Sequence, residues 1–429
     1  MKLKSLLPGI IAILMLSQSC QSDNDYNNNW PAWRGPQHTG VAPVSNPPLS
    51  WSESSNVKWK KEIPGKGFST PIVWKDKVFL TTAIVKEDAP DSTIMPYTFK
   101  VLALSRENGE LLWEKTVARE DVKARIHNTS SHISNSSLTD GKFLYAYFGS
   151  RGLFCFDFEG NIIWERDFGQ MEKRNNFGEG SSPALYGNRI VILWDHEGQS
   201  EIYCLDKRNG EDIWKMDRDE PSSWSTPLIV DFEGNKQVIT TASNKVRSYD
   251  LDSGRLIWEC AGLTGNVTPH PVFENGIVYV MSGYRGYSLM AIRLAGAEGD
   301  ISGTDAIAWS VKENTSYVPS PLLINNRIYF LRSNGGSLSC LDALSGEVFY
   351  SRESLADLGT VYNSPVYASG RIYQLGGSGL CYILKEGREF EILSENKLDD
   401  SFSASPAIAG NELFLRGHKY LYCIADESE

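Results

Sequence analysis

His127, His132, Glu179, Asp195 and His196 are the side chains of this sequence best suited to chemistry. Three imidazoles and two carboxylates, if they met, could hold a metal ion or divide general acid and base work between them. A second set is Trp224, Arg285 and Arg332. Guanidinium groups pair bidentately with carboxylates, and an aromatic ring stacks on a flat or sugar-like ligand. Each of these residues alone is an ordinary solvated loop residue, so the argument rests on their convergence. No Cys-x-x-Cys spacing and no Gly-x-Ser-x-Gly element accompanies them. Gly376-Gly377-Ser378-Gly379 is no phosphate cradle, because no helix follows it. Whether the candidates meet depends on the elements that carry them.

Those elements repeat. Thr70-Pro71, Ser136-Ser137, Ser182-Pro183, Thr226-Pro227, His270-Pro271, Ser320-Pro321, Ser364-Pro365 and Ser405-Pro406 recur at a spacing that marks a propeller or solenoid. Each is followed by short alternating runs rich in β-branched and aromatic residues, such as Ile277-Val278-Tyr279-Val280-Met281, between Gly, Asn and Asp turns. Four strands per repeat match a propeller blade. The expected fold is therefore all-β: an eight-bladed β-propeller of four-stranded antiparallel blades.

Most units end on a glycine turn followed by a tryptophan, giving Trp113, Trp164, Trp214 and Trp258, with Trp309 outside that spacing and Tyr350 and Ile392 in the slot of units six and seven. These rings are expected to dock one blade on the next. The last unit lacks its outermost strand, whereas Asn56-Val57-Lys58-Trp59-Lys60-Lys61 is an orphan strand carrying such a tryptophan. Pairing the two would close the last blade with an N-terminal strand and leave no open edge. Cys204, Cys340 and Cys381 stand six residues before a turn glycine, where Ala103 and Ser248 stand in other units. Neighbouring blades lie about 10 Å apart, too far for a disulfide, and none is expected. The insertions at 89–97 and 294–306 read as loop decorations.

In this topology the loops leading into each first strand and those between second and third strands open on one face around the channel. That rim is the expected binding face, and five of the six histidines map to it: His127, His132, His196, His270 and His418.

Ahead of the repeats, Lys2 and Lys4 precede an apolar run over 6–16, too short to span a bilayer and typical of a signal peptide. Ser17-Gln18-Ser19-Cys20 resembles a bacterial lipobox, which makes Cys20 the expected lipidation site. The expected organisation is a signal peptide over 1–20, a tether and lead-in segment over 21–50, and one propeller over 51–429. A formal charge of −11 with no dense basic run excludes nucleic acid as an expected partner.

The Gly-x-x-x-Trp closings, with Leu205-Asp206 and Leu341-Asp342 before their turns, resemble pyrroloquinoline-quinone (PQQ)-like propeller repeats. The segment Asn29-Trp30-Pro31-Ala32-Trp33-Arg34-Gly35-Pro36 resembles the opening of a lipoprotein branch of that family in Bacteroidetes and Planctomycetes. The family includes quinoprotein alcohol dehydrogenases and the non-enzymatic lipoprotein of the outer-membrane β-barrel assembly machine. The resemblance implies, first, a non-catalytic, monomeric lipoprotein of the cell envelope, binding a protein or glycan on the rim and acting in outer-membrane protein assembly. It leaves two alternatives: a quinoprotein-like oxidoreductase using PQQ and Ca²⁺, and a hydrolase or lyase at the His/Asp/Glu rim. Dehydrogenase relatives carry two adjacent cysteines above the quinone, and this chain has no such pair. No cofactor or metal is assigned on these grounds.

Overall fold

The computed structural model describes residues 25–86, 94–123 and 126–426. Cys20, the apolar run before it and most of the first insertion lie outside the described residues. Eight sheets, antiparallel but for one added strand, form a ring of blades. Blade 1 comprises Ile72–Trp74, Lys77–Val85, Ile94–Ser105 and Leu111–Lys123. Blades 2 to 7 begin at Leu138, Ala184, Leu228, Val272, Leu322 and Val366. Blade 8 takes Ala407–Ala409, Glu412–Arg416 and Tyr420–Ile424 from the C-terminus and Val57–Glu62 from the N-terminal side, with Trp59 opposite Cys423. This shared blade removes the edge that an open ring would present.

The tryptophans and turn glycines form one device. Trp59, Trp113, Trp164, Trp214 and Trp309 donate Nε1–H to the carbonyls of Arg106, Phe158, Lys207, Leu251 and Ala343, each on the following blade, at 2.8–3.0 Å. Each ring lies so close over the turn glycine of that blade that a Cβ at Gly109, Gly160, Gly210, Gly254 or Gly346 would approach it to 2.7–2.9 Å. The glycine of one unit thus serves the tryptophan of the unit before. Cross-strand from the rings stand Ala103, Cys155, Cys204, Ala291 and Cys423, because only a small side chain fits beside an indole. All six described cysteines are buried free thiols.

Two expectations fail here. In blade 7 the turn carries one more residue, so Ser394, not Ile392, stands in the tryptophan register opposite Ile383, and Cys381 pairs with Asn396 instead. The second insertion is not a loop decoration: Gly299–Asp300 adds a fifth, parallel strand to blade 4, beside Trp258. Trp258 has no hairpin glycine on blade 5 to cover it. The insertion does so with Leu294, Ala297 and Ile301, leaving the ring fully buried, its Nε1 3.2 Å from Gln237 Oε1.

Candidate functional site

The recurring Ser/Thr positions lie at the channel and join the blades into a hoop. The backbone N–H of Thr70, Ser136 and Ser182 donates to the hydroxyl of Ser136, Ser182 and Thr226, at 2.9–3.0 Å. The N–H of His270, Ser320 and Ser364 likewise donates to the hydroxyl of Ser320, Ser364 and Ser405, at 2.9 Å. Between Thr226 and His270 the imidazole substitutes, its Nδ1 lying 2.9 Å from Thr226 O. Proline follows seven of the eight positions because the innermost strand faces the channel as an edge and needs no donor there.

Residues 30–42 cross this channel and plug it. Trp30 exchanges two backbone bonds with Val73 of blade 1, and Thr139 N–H of blade 2 donates to Pro31 O. Arg34 donates to Pro321 O and Pro365 O at 2.7 and 2.8 Å, the carbonyls that open blades 6 and 7. Gly40 and Ala42 then pair with Tyr367. Gly35, at φ +78°, passes where a Cβ would lie 2.7 Å from the Trp30 ring, so the motif needs glycine there. Among the described residues Arg34 has no carboxylate partner, and burial lowers its guanidinium to about 9. The stretch expected as a lead-in segment is, over these residues, part of the packed ring.

Above the plug the channel opens into a blind cavity of about 340 Å³, with Trp33 among its lining residues. His127, Phe177 and Trp224 come from the loops leading into blades 2, 3 and 4. The ring of His127 lies 4.4 Å from that of Phe177, and Phe177 meets Trp224 edge-on at 5.9 Å. Tyr284, Tyr317 and Tyr362 come from blades 5, 6 and 7, the first two with rings 5.0 Å apart. The hydroxyls of Ser136, Ser182, Thr226, Ser364 and Ser405 complete the wall. Glu179 is its carboxylate, held by Ser150, whose N–H and hydroxyl donate at 2.8 and 2.5 Å.

The structure divides the sequence candidates. His127, Glu179 and Trp224 line the cavity. His132 does not: it packs on Tyr97 at 4.5 Å in a neighbouring cleft, and burial, with Arg151 and Lys66, lowers it to about 4. Asp195 and His196 are not rim groups. Asp195 is buried in an ion pair with Arg218, and burial, which opposes the Arg218 charge, is outweighed by Asp195 and its neighbours, so that guanidinium is raised. The His196 Nδ1 accepts N–H from Glu172 and Gly198, and Nε2 lies 2.9 Å from Gln199 O, so its ring locks a turn. Arg285 and Arg332 are exposed and lie outside the cavity lining. The expected acid and base cluster is therefore dismantled by burial. Among the described residues no three of His, Cys, Asp and Glu gather to hold a metal ion.

Trp33, Phe68 and Phe177 were not among the sequence candidates. Phe68 and Phe177 fall between repeats with no periodic mark. Trp33 had one, since Trp30 and Trp33 sit in a motif outside the blade register. The cavity does not fit PQQ. That quinone is a tricarboxylate, whereas the lining contains Glu179 and, among the described residues, no Lys or Arg. The buried Arg34 and Arg416 are turned to backbone carbonyls and, for Arg416, to Ser69.

Fold and site together define an eight-bladed propeller whose channel is closed by its own N-terminal segment. The family profile described as outer membrane protein assembly factor BamB matches residues 49–176 and 198–428, and the chain belongs to this PQQ-like family. It is 24% identical over 216 residues to tetrathionate hydrolase of Acidithiobacillus ferrooxidans, covering 45% of this chain and 39% of that protein. To outer membrane protein assembly factor BamB of Francisella salina it is 23% identical over 172 residues, covering 40% and 30%. The chain thus matches less than half the length of these relatives. Among solved structures, BamB from Moraxella catarrhalis superposes with a TM-score of 0.53 at 13% identity, covering 80% of this chain and 98% of that one. Quinohemoprotein alcohol dehydrogenase from Comamonas testosteroni superposes with a TM-score of 0.64 at 10% identity, covering 96% and 83%. At these identities the superpositions establish the fold alone.

Proposed function

We propose that this chain is a non-catalytic propeller of the bacterial cell envelope, lipid-anchored through Cys20, that captures a protein or glycan partner at the channel mouth in the course of outer-membrane protein assembly. The observation that carries the reading is the blind cavity, in which aromatic residues from six of the eight blades and from the plug converge with hydroxyls and a single carboxylate. Such a lining suits recognition. Among the described residues its lining supplies no Lys or Arg for a quinone carboxylate, and His127 is bonded to Thr129 and Glu179 to Ser150 rather than to each other, which weighs against the oxidoreductase and the hydrolase readings. Membership of the family named for an outer-membrane assembly factor supports the location.

The test is a photo-crosslinking amino acid placed at position 177 in the mouth, or at position 112 on the outer edge, in cells of the source organism. A partner crosslinked from 177 and not from 112, and released from the membrane fraction by Cys20→Ser, is the expected result. Crosslinks from 112 alone would refute the mouth as the binding face.

A further inference from the structure

We infer that the channel cavity is a saccharide pocket, taking the end of an uncharged glycan of one or two sugar residues. The inference deepens the proposed capture function and rests on the mouth being its site. Four observations carry it.

The first is charge. Among the described residues the ionisable side chains in the lining are His127, Glu179 and the phenols of Tyr284, Tyr317 and Tyr362, with no Lys or Arg. Lys173, 5.5 Å from the Trp224 ring, is tied to the carbonyls of Asp195 and Ser223, so the wall offers an anionic ligand a carboxylate and no free ammonium or guanidinium. Phosphates, uronic acids and the tricarboxylate quinone are disfavoured together. The second is the hydroxyl hoop. Ser136, Ser182, Thr226, Ser364 and Ser405 each accept a backbone N–H and line the cavity. A hydroxyl also has a proton to donate, and none of these five has an acceptor for it among the described residues. A band of hydroxyl donors matches a ligand whose surface is itself hydroxyl. The third is the set of rings, Phe177 and Trp224 from blades 3 and 4 and Tyr284, Tyr317 and Tyr362 from blades 5, 6 and 7, which supplies aromatic surface for the apolar C–H faces of a pyranose.

The fourth observation separates a glycan from a peptide. An extended peptide binds a propeller channel by pairing with the innermost strands, which needs their backbone donors. At the head of seven blades Pro71, Pro183, Pro227, Pro271, Pro321, Pro365 and Pro406 have no N–H to give, and the strand donors of Val73, Thr139 and Tyr367 are already taken by the plug. Size decides how much of a glycan enters. A cavity of about 340 Å³ is at the small end of ligand pockets, and the plug bearing Trp33 closes it below. A chain end fits, and a chain passing through does not.

The test titrates the purified chain with cellobiose, maltose and N,N′-diacetylchitobiose, with glucuronate and PQQ as charged probes, by calorimetry and tryptophan fluorescence. Saturable 1:1 binding of at least one neutral disaccharide is expected. Trp224→Ala should weaken it about five- to tenfold, the loss of one stacking contact. Tyr362→Ala provides the same reading should Trp224→Ala fold poorly, and thermal midpoints report folding for both. Binding of PQQ or glucuronate with no neutral sugar bound, or neutral binding unaltered in both folded variants, overturns the inference. So does the absence of any saccharide binding while position 177 still crosslinks a partner, which leaves the capture function standing. Sugar binding without a crosslink from 177 supports the pocket and refutes a protein partner at the mouth.

Discussion

Asp195→Ala should be among the most destabilising single changes in this protein, although in sequence Asp195 looks like an exposed member of an acid and histidine pair. Its carboxylate and the Arg218 guanidinium are both wholly shielded from solvent. Oδ1 accepts from Arg218 Nε at 2.7 Å, and Oδ2 accepts from Arg218 Nη2 at 3.2 Å and from Ser223 Oγ at 2.7 Å. Truncation leaves Arg218 with Thr240 Oγ1 and Tyr249 Oη as partners and, of the carboxylates that act on it, only Glu220, which is already paired with Arg247. Removing one member of a buried ion pair costs about 3–5 kcal/mol, a large share of a typical folding stability of about 5–15 kcal/mol. Equilibrium urea unfolding followed by tryptophan fluorescence measures it directly. His127→Ala, in the cavity wall, is the reference and should change stability by less than about 1 kcal/mol. An Asp195→Ala midpoint equal to that of the wild type would refute the buried-pair reasoning and return Asp195 to the list of groups free for chemistry.

Trp59→Ala removes a ring that is 8% exposed and its bond to Arg106 O, at the one junction where the two chain ends meet. A loss of about 3–5 kcal/mol, with faster proteolysis of the C-terminal blade, is expected, and an unaltered chemical midpoint would contradict the closure argument. Ser364→Ala removes the acceptor for Ser320 N–H, a buried donor, and should cost about 1–3 kcal/mol in the same assay. Stability should also fall in acid. Burial holds His270 at about 3, aided by Arg34 and His38 and opposed by its bond to Thr226 O. The unfolded chain binds the proton more readily below about pH 6.5. Stability is therefore full above that value and declines as pH drops toward 3, by about 1.4 kcal/mol per pH unit for one proton. His270→Gln should flatten the decline, and an unaltered slope would exclude His270 as its source.

Much of the fold is legible in the sequence because a propeller is periodic. Ser/Thr-Pro marks the innermost strand of a blade, the Gly turn and Trp mark its outer hairpin, and both recur for local reasons: an edge that needs no donor, and an indole that needs a glycine beneath it. The orphan Trp59 strand was readable by the same rule, since the missing fourth strand of blade 8 and the spare strand carry the same signature. The periodicity misleads where the chain departs from it. One added residue in the blade 7 turn shifts Ser394 into the slot expected for Ile392, and an insertion becomes a fifth strand because Trp258 has no neighbouring glycine turn to cover it.

The site is a different matter. Sequence locates loops on a face but not how deeply each side chain is buried there, and burial sorted the candidates: Asp195 went to Arg218, His196 to its own turn, His132 to a side cleft, and His127, Glu179 and Trp224 to the cavity. The plug is the clearest case. Residues 30–42 read locally as a lead-in to the first strand, and their partners, Val73, Pro321, Pro365 and Tyr367, are scattered over almost the whole chain. A repeat rule describes contacts between successive units, so the blades and their closure were determined by the sequence itself. A segment that touches blades 1, 2, 6 and 7 at once gets its place only when the ring closes around it, and the floor of the cavity exists only in the tertiary structure.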